Sequence, residues 1–121
     1  MQDQELVLQT ARTLYDRKAL DITVLKVSHL TVLCDWMIIA SGRNANQVSA
    51  LADAVDETMS AASVPLRRSE GIQEGRWAVL DYGHVIVHLF HRDERLYYGL
   101  DRLWSDGTNA VELPFDQSVP E

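Results

Sequence analysis

The run Trp36-Met37-Ile38-Ile39-Ala40-Ser41 constrains the fold more than any other stretch of the chain. It is almost wholly apolar and does not alternate, so neither face of the strand it forms meets water. Such a strand belongs in a sheet covered on both sides. Gly42 breaks the run. From about Asn46 to Ser60 the period becomes 3.6, with Val48, Leu51, Ala52, Val55 and Met59 on one face and Asp53, Asp56 and Glu57 largely off it. This predicts an amphipathic helix, started by Asn44 or Asn46 as its cap.

The flanking segments supply the other layers. Gln4 to Lys18 reads as a helix whose stripe is Val7, Ala11, Leu14 and Lys18, widened by Leu8 and Tyr15. Ile22 to Val27 is rich in β-branched residues and reads as a strand. Pro65 turns the chain into a short strand around Leu66 to Arg68, and Gly71 and Gly75 bracket a loop. Arg76 to Asp81 and Val85 to Phe90 are two strands joined by Tyr82-Gly83-His84, which makes an antiparallel hairpin. A last helix is expected from Arg92 to Leu103, with Leu96, Leu100 and Leu103 facing inward. The order α-β-β-α-β-β-β-α predicts an α/β (α+β) fold. A single domain over residues 1–107 holds a mixed sheet of about five strands flanked by helices. Residues 108–121 carry Pro114, Pro120 and no period, and read as a loosely docked tail.

With 46% hydrophobic residues over 121 positions, the core needs no disulfide or metal staple. The net charge of −7 repels nucleic-acid phosphates, and Arg67, Arg68 and Arg76 are the only notable basic group. Sequence-specific nucleic-acid binding is therefore disfavoured, and a basic protein partner is favoured. The lone Cys34 suits a reducing compartment, and the polar, acidic N-terminus lacks a signal pattern. No apolar run approaches the roughly 18 residues of a membrane span. The expectation is a cytoplasmic protein without a membrane partner.

Few residues point to chemistry. His84, His88 and His91 are close in sequence, but on a strand His84 and His88 lie about 13 Å apart, too far to share one metal. No metal and no cofactor are expected. Cys34 next to Asp35 reads as a buried, inert thiol. The Ser41-Gly42 turn between strand and helix could cradle a phosphate, but it lacks the multi-glycine spacing of a nucleotide loop. A two-metal nucleotidyltransferase needs an Asp-x-Asp/Glu pair on a strand. The only such pair here is Asp3-Gln4-Glu5 at the N-terminus.

The aromatic residues are more informative. Strand alternation puts Trp77, Val79 and Asp81 on one face and Ala78 and Leu80 on the other. A face mixing Trp with a carboxylate and bordered by polar turns has the makings of an interface hot spot. Here the motifs become recognisable. Glu70-Gly71, Trp77, Leu80-Asp81-Tyr82-Gly83 and Val85-Ile86-Val87-His88 resemble the core signature of the ribosomal silencing factor family, also called Iojap-related. Asp35-Trp36-Met37-Ile38-Ile39-Ala40-Ser41-Gly42 resembles its N-terminal motif, and Arg95, Tyr98, Leu100, Leu103 and Trp104 match its closing helix. Lys26 and His84 depart from it, each standing where the family usually has Asp, and Arg43-Asn44-Ala45-Asn46-Gln47 replaces a Ser-rich run.

The resemblance implies a nucleotidyltransferase-like shape without the activity. It implies binding to the large ribosomal subunit through the ribosomal protein numbered fourteen, which blocks joining with the small subunit and lowers translation when nutrients are scarce. No enzymatic step is needed. The expected partner-binding residues are Glu70, Trp77, Asp81, Tyr82 and His88. A degenerate nucleotidyltransferase holding a nucleotide near Ser41-Gly42 is the alternative, and a homodimer through an exposed apolar or aromatic face stays open.

Overall fold

The computed structural model describes residues 3–117, apart from the side chains of residues 96–98. Its elements are α1 (Asp3–Asp16), β1 (Leu20–Lys26), β2 (Trp36–Gly42), α2 (Ala45–Ala61), β3 (Arg68–Glu70), β4 (Trp77–Asp81), β5 (Val85–His91), α3 (Arg92–Tyr98) and α4 (Leu100–Trp104). The five strands form one mixed sheet in the order β1-β2-β5-β4-β3. Only the β2–β5 pair is parallel, with Ile38 beside Val87 and Ile39 beside His88. The other pairs are antiparallel.

Every residue of β2 is buried, as its apolar run requires. The reason is that α1 and α2 cover one face, and α3, α4 and the loop before β2 cover part of the other. On the first face Ile22, Val24, Ile38, Ala40, Ala78, Leu80, Val87 and Leu89 pack against Leu14, Val48, Leu51, Val55 and Met59. Fully burying an aliphatic side chain of this size contributes about 2–3 kcal/mol. The second face holds a smaller cluster of Leu25, Val27, Cys34, Met37, Ile39, Phe90 and Leu100. Asn44 caps α2, its carboxamide oxygen accepting from Gln47 N at 2.8 Å.

Several expectations are corrected. Helix α1 ends at Asp16, and Lys18 lies beyond it, exposed, with φ 66°. Its buried stripe is Leu6, Val7, Thr10, Ala11 and Leu14. The third strand starts at Arg68, two residues later than expected, because Leu66 is drawn onto the core while Arg67 N donates to Asp81 O and opens the ladder. The closing helix is broken: Gly99 adopts φ 61° and ends α3, so α4 starts afresh. Leu100 stays buried, but Leu103 is 70% exposed rather than inward. The side chains of Leu96, Tyr97 and Tyr98 lie outside the described residues.

The C-terminal segment is not loose as far as residue 117. It runs along the outer edge of β1, where Lys26 N donates to Asn109 O and Val111 N to Val24 O. The Gln117 carboxamide stands in for a further strand residue, accepting from Ile22 N and donating to Ile22 O. Phe115 stacks on Tyr15 at 4.4 Å. An edge strand leaves backbone groups that seek partners, and this segment supplies them.

Candidate docking face

The half of the second sheet face that α3 and α4 leave uncovered is carried by β5, β4 and β3. Trp77 pairs with Phe90, Val79 with His88, and Asp81 with Ile86 across β4–β5. Arg68 pairs with Asp81 and Glu70 with Val79 across β3–β4. Residues opposite one another share a face, so Arg68, Glu70, Trp77, Val79, Asp81, Ile86 and His88 lie together. Trp77, Val79, Asp81 and Ile86 are half-buried, and Glu70 is exposed.

The Trp77 ring is held firmly. It stacks on Phe90 with centroids 5.1 Å apart and an interplanar angle of 23°. Its Nε1–H donates to His88 Nδ1 at 3.1 Å. His88 therefore accepts at Nδ1 and carries its proton on Nε2. Burial lowers its pKa from 6.5 to about 4, so the ring is neutral at ordinary pH. The loop before Trp77 is shaped by two glycines. A Cβ at Gly71, φ 76°, would lie 2.0 Å from Trp77 O, and one at Gly75, φ 70°, 2.6 Å from the Ala45 backbone. Only glycine lets the loop close this tightly onto the start of β4. Asp81 is oriented by Gly83 N, which donates to its Oδ1 at 2.8 Å.

Of the five residues expected at the site, four share this face and Tyr82 does not. Tyr82 belongs to the helix-side core, and its hydroxyl donates to Asp56 Oδ1 at 2.8 Å. Burial and the Asp56 carboxylate push its phenol well above the usual range. The alternation that placed Ala78 and Leu80 on the helix side continues through Tyr82.

Two features went unseen in the sequence. The first is the loop before β2. Leu30 N and Thr31 N both donate to Val27 O, Val27 N donates to Asp35 O, and His29 Nε2 meets Asp106 Oδ2 at 2.7 Å. Cys34 is buried beneath the loop. Desolvation, then Asp35 and Asp81, push its thiol up to about 11, so it stays protonated as expected of an inert cysteine. Above it Leu30, Val32 and Leu33 are 44%, 101% and 71% exposed. The second feature is a group of Asp3, Asp35 and His84, whose ligand-type atoms lie within 4.8 Å of one another. His84 Nδ1 is 3.2 Å from Asp35 Oδ2. Asp3, weighed in the sequence only as part of the Asp3-Gln4-Glu5 pair, thus has carboxylate and imidazole neighbours, but the group is exposed or half-buried.

The nucleotide alternative finds little room at the turn after β2. The start of α2 is filled by its own chain: Gln47 N is taken by Asn44, Arg43 N by Gln47 Oε1 at 2.6 Å, and Gly75 presses on Ala45. A Cβ at Gly42 would sit 3.0 Å from Val48 Cγ2, so the glycine serves close helix–strand packing.

Comparison with known proteins decides the family. The family model described as "Ribosomal silencing factor during starvation" matches residues 1–120. The chain belongs to the ribosomal silencing factor family. It is 34% identical to a ribosomal silencing factor of Halalkalibacterium halodurans, over 93% of this chain and 96% of that one. It is 33% identical to that of Bacillus subtilis, over 91% and 93%. A crystal structure of a Chromobacterium violaceum protein superposes with a TM-score of 0.84 at 35% identity, covering 98% of this chain and 97% of that one.

The silencing-factor motifs now have physical roles. Arg95, 9% exposed, donates to both carboxylate oxygens of Asp101, to Ser41 Oγ and Thr23 Oγ1 at 3.1 Å, and to Asp21 O. It ties α3 and α4 to β1 and β2. Of the two departures from the silencing-factor pattern, Lys26 places its ammonium 5.6 Å from the Trp36 ring centroid, and His84 answers Asp35.

Proposed function

We propose that this chain silences translation by docking the open face of β3, β4 and β5 on the large ribosomal subunit. The contact is with the ribosomal protein numbered fourteen, and the bound chain stands in the way of the small subunit. The repression is steric and needs no catalytic step. The observation that carries this reading is the Trp77 platform: an indole half-exposed and fixed by Phe90 and His88, on a face that also carries Glu70 and Asp81. A rigid, half-exposed aromatic suits a protein partner, and the net charge of −7 favours a basic one. Family membership supports the ribosome as the target. The site of action is then the cytoplasm, and no described helix is long and apolar enough to cross a membrane.

The test is co-sedimentation with purified large and small subunits in separate tubes. The chain pellets with the large subunit alone and lowers the yield of joined ribosomes. Trp77→Glu weakens that binding by about 2–4 kcal/mol, the usual range for a central aromatic. Unchanged binding by a folded Trp77→Glu variant refutes the placement.

A further inference from the structure

Among the described residues the large exposed apolar side chains are Leu30, Val32, Leu33 and Leu103, so three of the four fall within four positions of one loop. Scattered apolar residues on a surface are ordinary, but a cluster held out to water marks a contact. The loop is not slack. Its base is closed by Val27 N to Asp35 O at 2.9 Å, its first turn by Leu30 N to Val27 O at 2.9 Å, and its tip by Leu33 N to Thr31 Oγ1 at 3.1 Å. Cys34 anchors it in the cluster that also receives Trp77 and Ile86. The base of the loop therefore shares a cluster with the Trp77 face, and its hydrogen bonds order the apolar tip before any partner arrives, which lowers the entropy cost of binding.

We propose that Leu30, Val32 and Leu33 form a second, apolar anchor of the docking face, seated in an apolar recess on a basic protein surface. The proposal rests on the large-subunit reading above and names a part of the same contact. The charge around the loop selects the occupant. From Val27 to Asp35 there is no Lys or Arg. Asp35 closes the loop, Asp81 lies close enough to Cys34 to act on its thiol, and Asp106 holds His29 at the base. Hydrogen bonds from His29 and Thr108 depress the Asp106 carboxyl, which stays ionised. A second copy of this acidic chain would bring like charges together, whereas a basic surface would not.

The experiment compares the wild type, Val32→Ser/Leu33→Ser and Asp81→Asn for binding to purified large subunits across a salt series. Thermal midpoints serve as a folding control. The double serine variant melts as the wild type does, because its side chains are exposed, and binds at least tenfold more weakly with the same salt slope. Asp81→Asn instead flattens the salt slope. Wild-type affinity in a folded double variant overturns the loop proposal and leaves the Trp77 reading standing. Failure of the wild type to bind large subunits overturns both. A wild-type dimer that the double variant converts to monomer, with subunit binding unchanged, overturns the proposal in favour of a second copy.

Discussion

His88 makes the fold acid-sensitive in a defined window. His88 is 8% exposed, and burial lowers its pKa from 6.5 to about 4. Above pH 6.5 the ring is neutral in both folded and unfolded chains and contributes nothing to the pH dependence. As pH falls through 6.5 the unfolded chain takes up a proton that the folded chain refuses until about pH 4. Stability is therefore lost across that interval and levels off below it for this group. At about 1.4 kcal/mol per tenfold the loss is about 3 kcal/mol. Protonation also turns Nδ1 into a donor facing the Trp77 Nε1–H, so the indole loses its partner. The assay is urea unfolding at steps from pH 7.5 to 4 for the wild type and His88→Asn, whose carboxamide oxygen can accept from Trp77 without titrating. The wild type loses about 3 kcal/mol more than the variant over this range. Carboxylates that titrate in both proteins, Asp106 included, cancel in the difference. Parallel curves refute the account of His88 as a buried neutral acceptor.

Two further outcomes follow from buried polar pairs. Arg95→Ala leaves Asp101, Ser41 and Asp21 O without their donor and lowers stability by about 1–3 kcal/mol, read as a drop in the urea midpoint. Asn109→Ala removes a side chain that donates to Lys26 O at 3.0 Å and Trp104 O at 2.9 Å, and costs about 1–3 kcal/mol. Faster amide exchange confined to β1 accompanies that loss, and an unchanged β1 refutes the edge role of the C-terminal segment.

How legible the fold was depended on whether a segment's environment is periodic. β2 has no polar face to hide, and α2 repeats its apolar stripe at 3.6, so both were readable from local pattern. The β4–β5 hairpin was marked by Gly83, which takes φ 91°. Gly99 carried a signal for the break after α3, but Leu96, Leu100 and Leu103 repeat across it as in one continuous helix. Tyr82 was expected on the docking face, but alternation alone carries its side chain inward after Leu80. The C-terminal segment gave no period because its attachments are individual hydrogen bonds from Asn109 and Gln117 to one strand edge. Arg95 was recognisable by motif but not by burial, since a guanidinium is buried only where five donors find acceptors, and those come from β1, β2 and α4. The loop apolar residues pass in sequence for core residues.

The two faces of the sheet divide stability from recognition. The helix side holds the larger core, and the cluster on the other side is confined to the β1, β2 and β5 end under Leu100 and Trp104. Arg95 fixes α3 and α4 to that end through Asp21, Thr23 and Ser41, and Gly99 stops α3 after seven residues, about 10 Å of helix. His88 completes the arrangement: because burial keeps it neutral, it can hold the indole without adding a cation to a face whose neighbours are Glu70 and Asp81. A lysine or a charged histidine at that position would supply a hydrogen-bond donor where an acceptor is required and would oppose a basic partner at the centre of the contact.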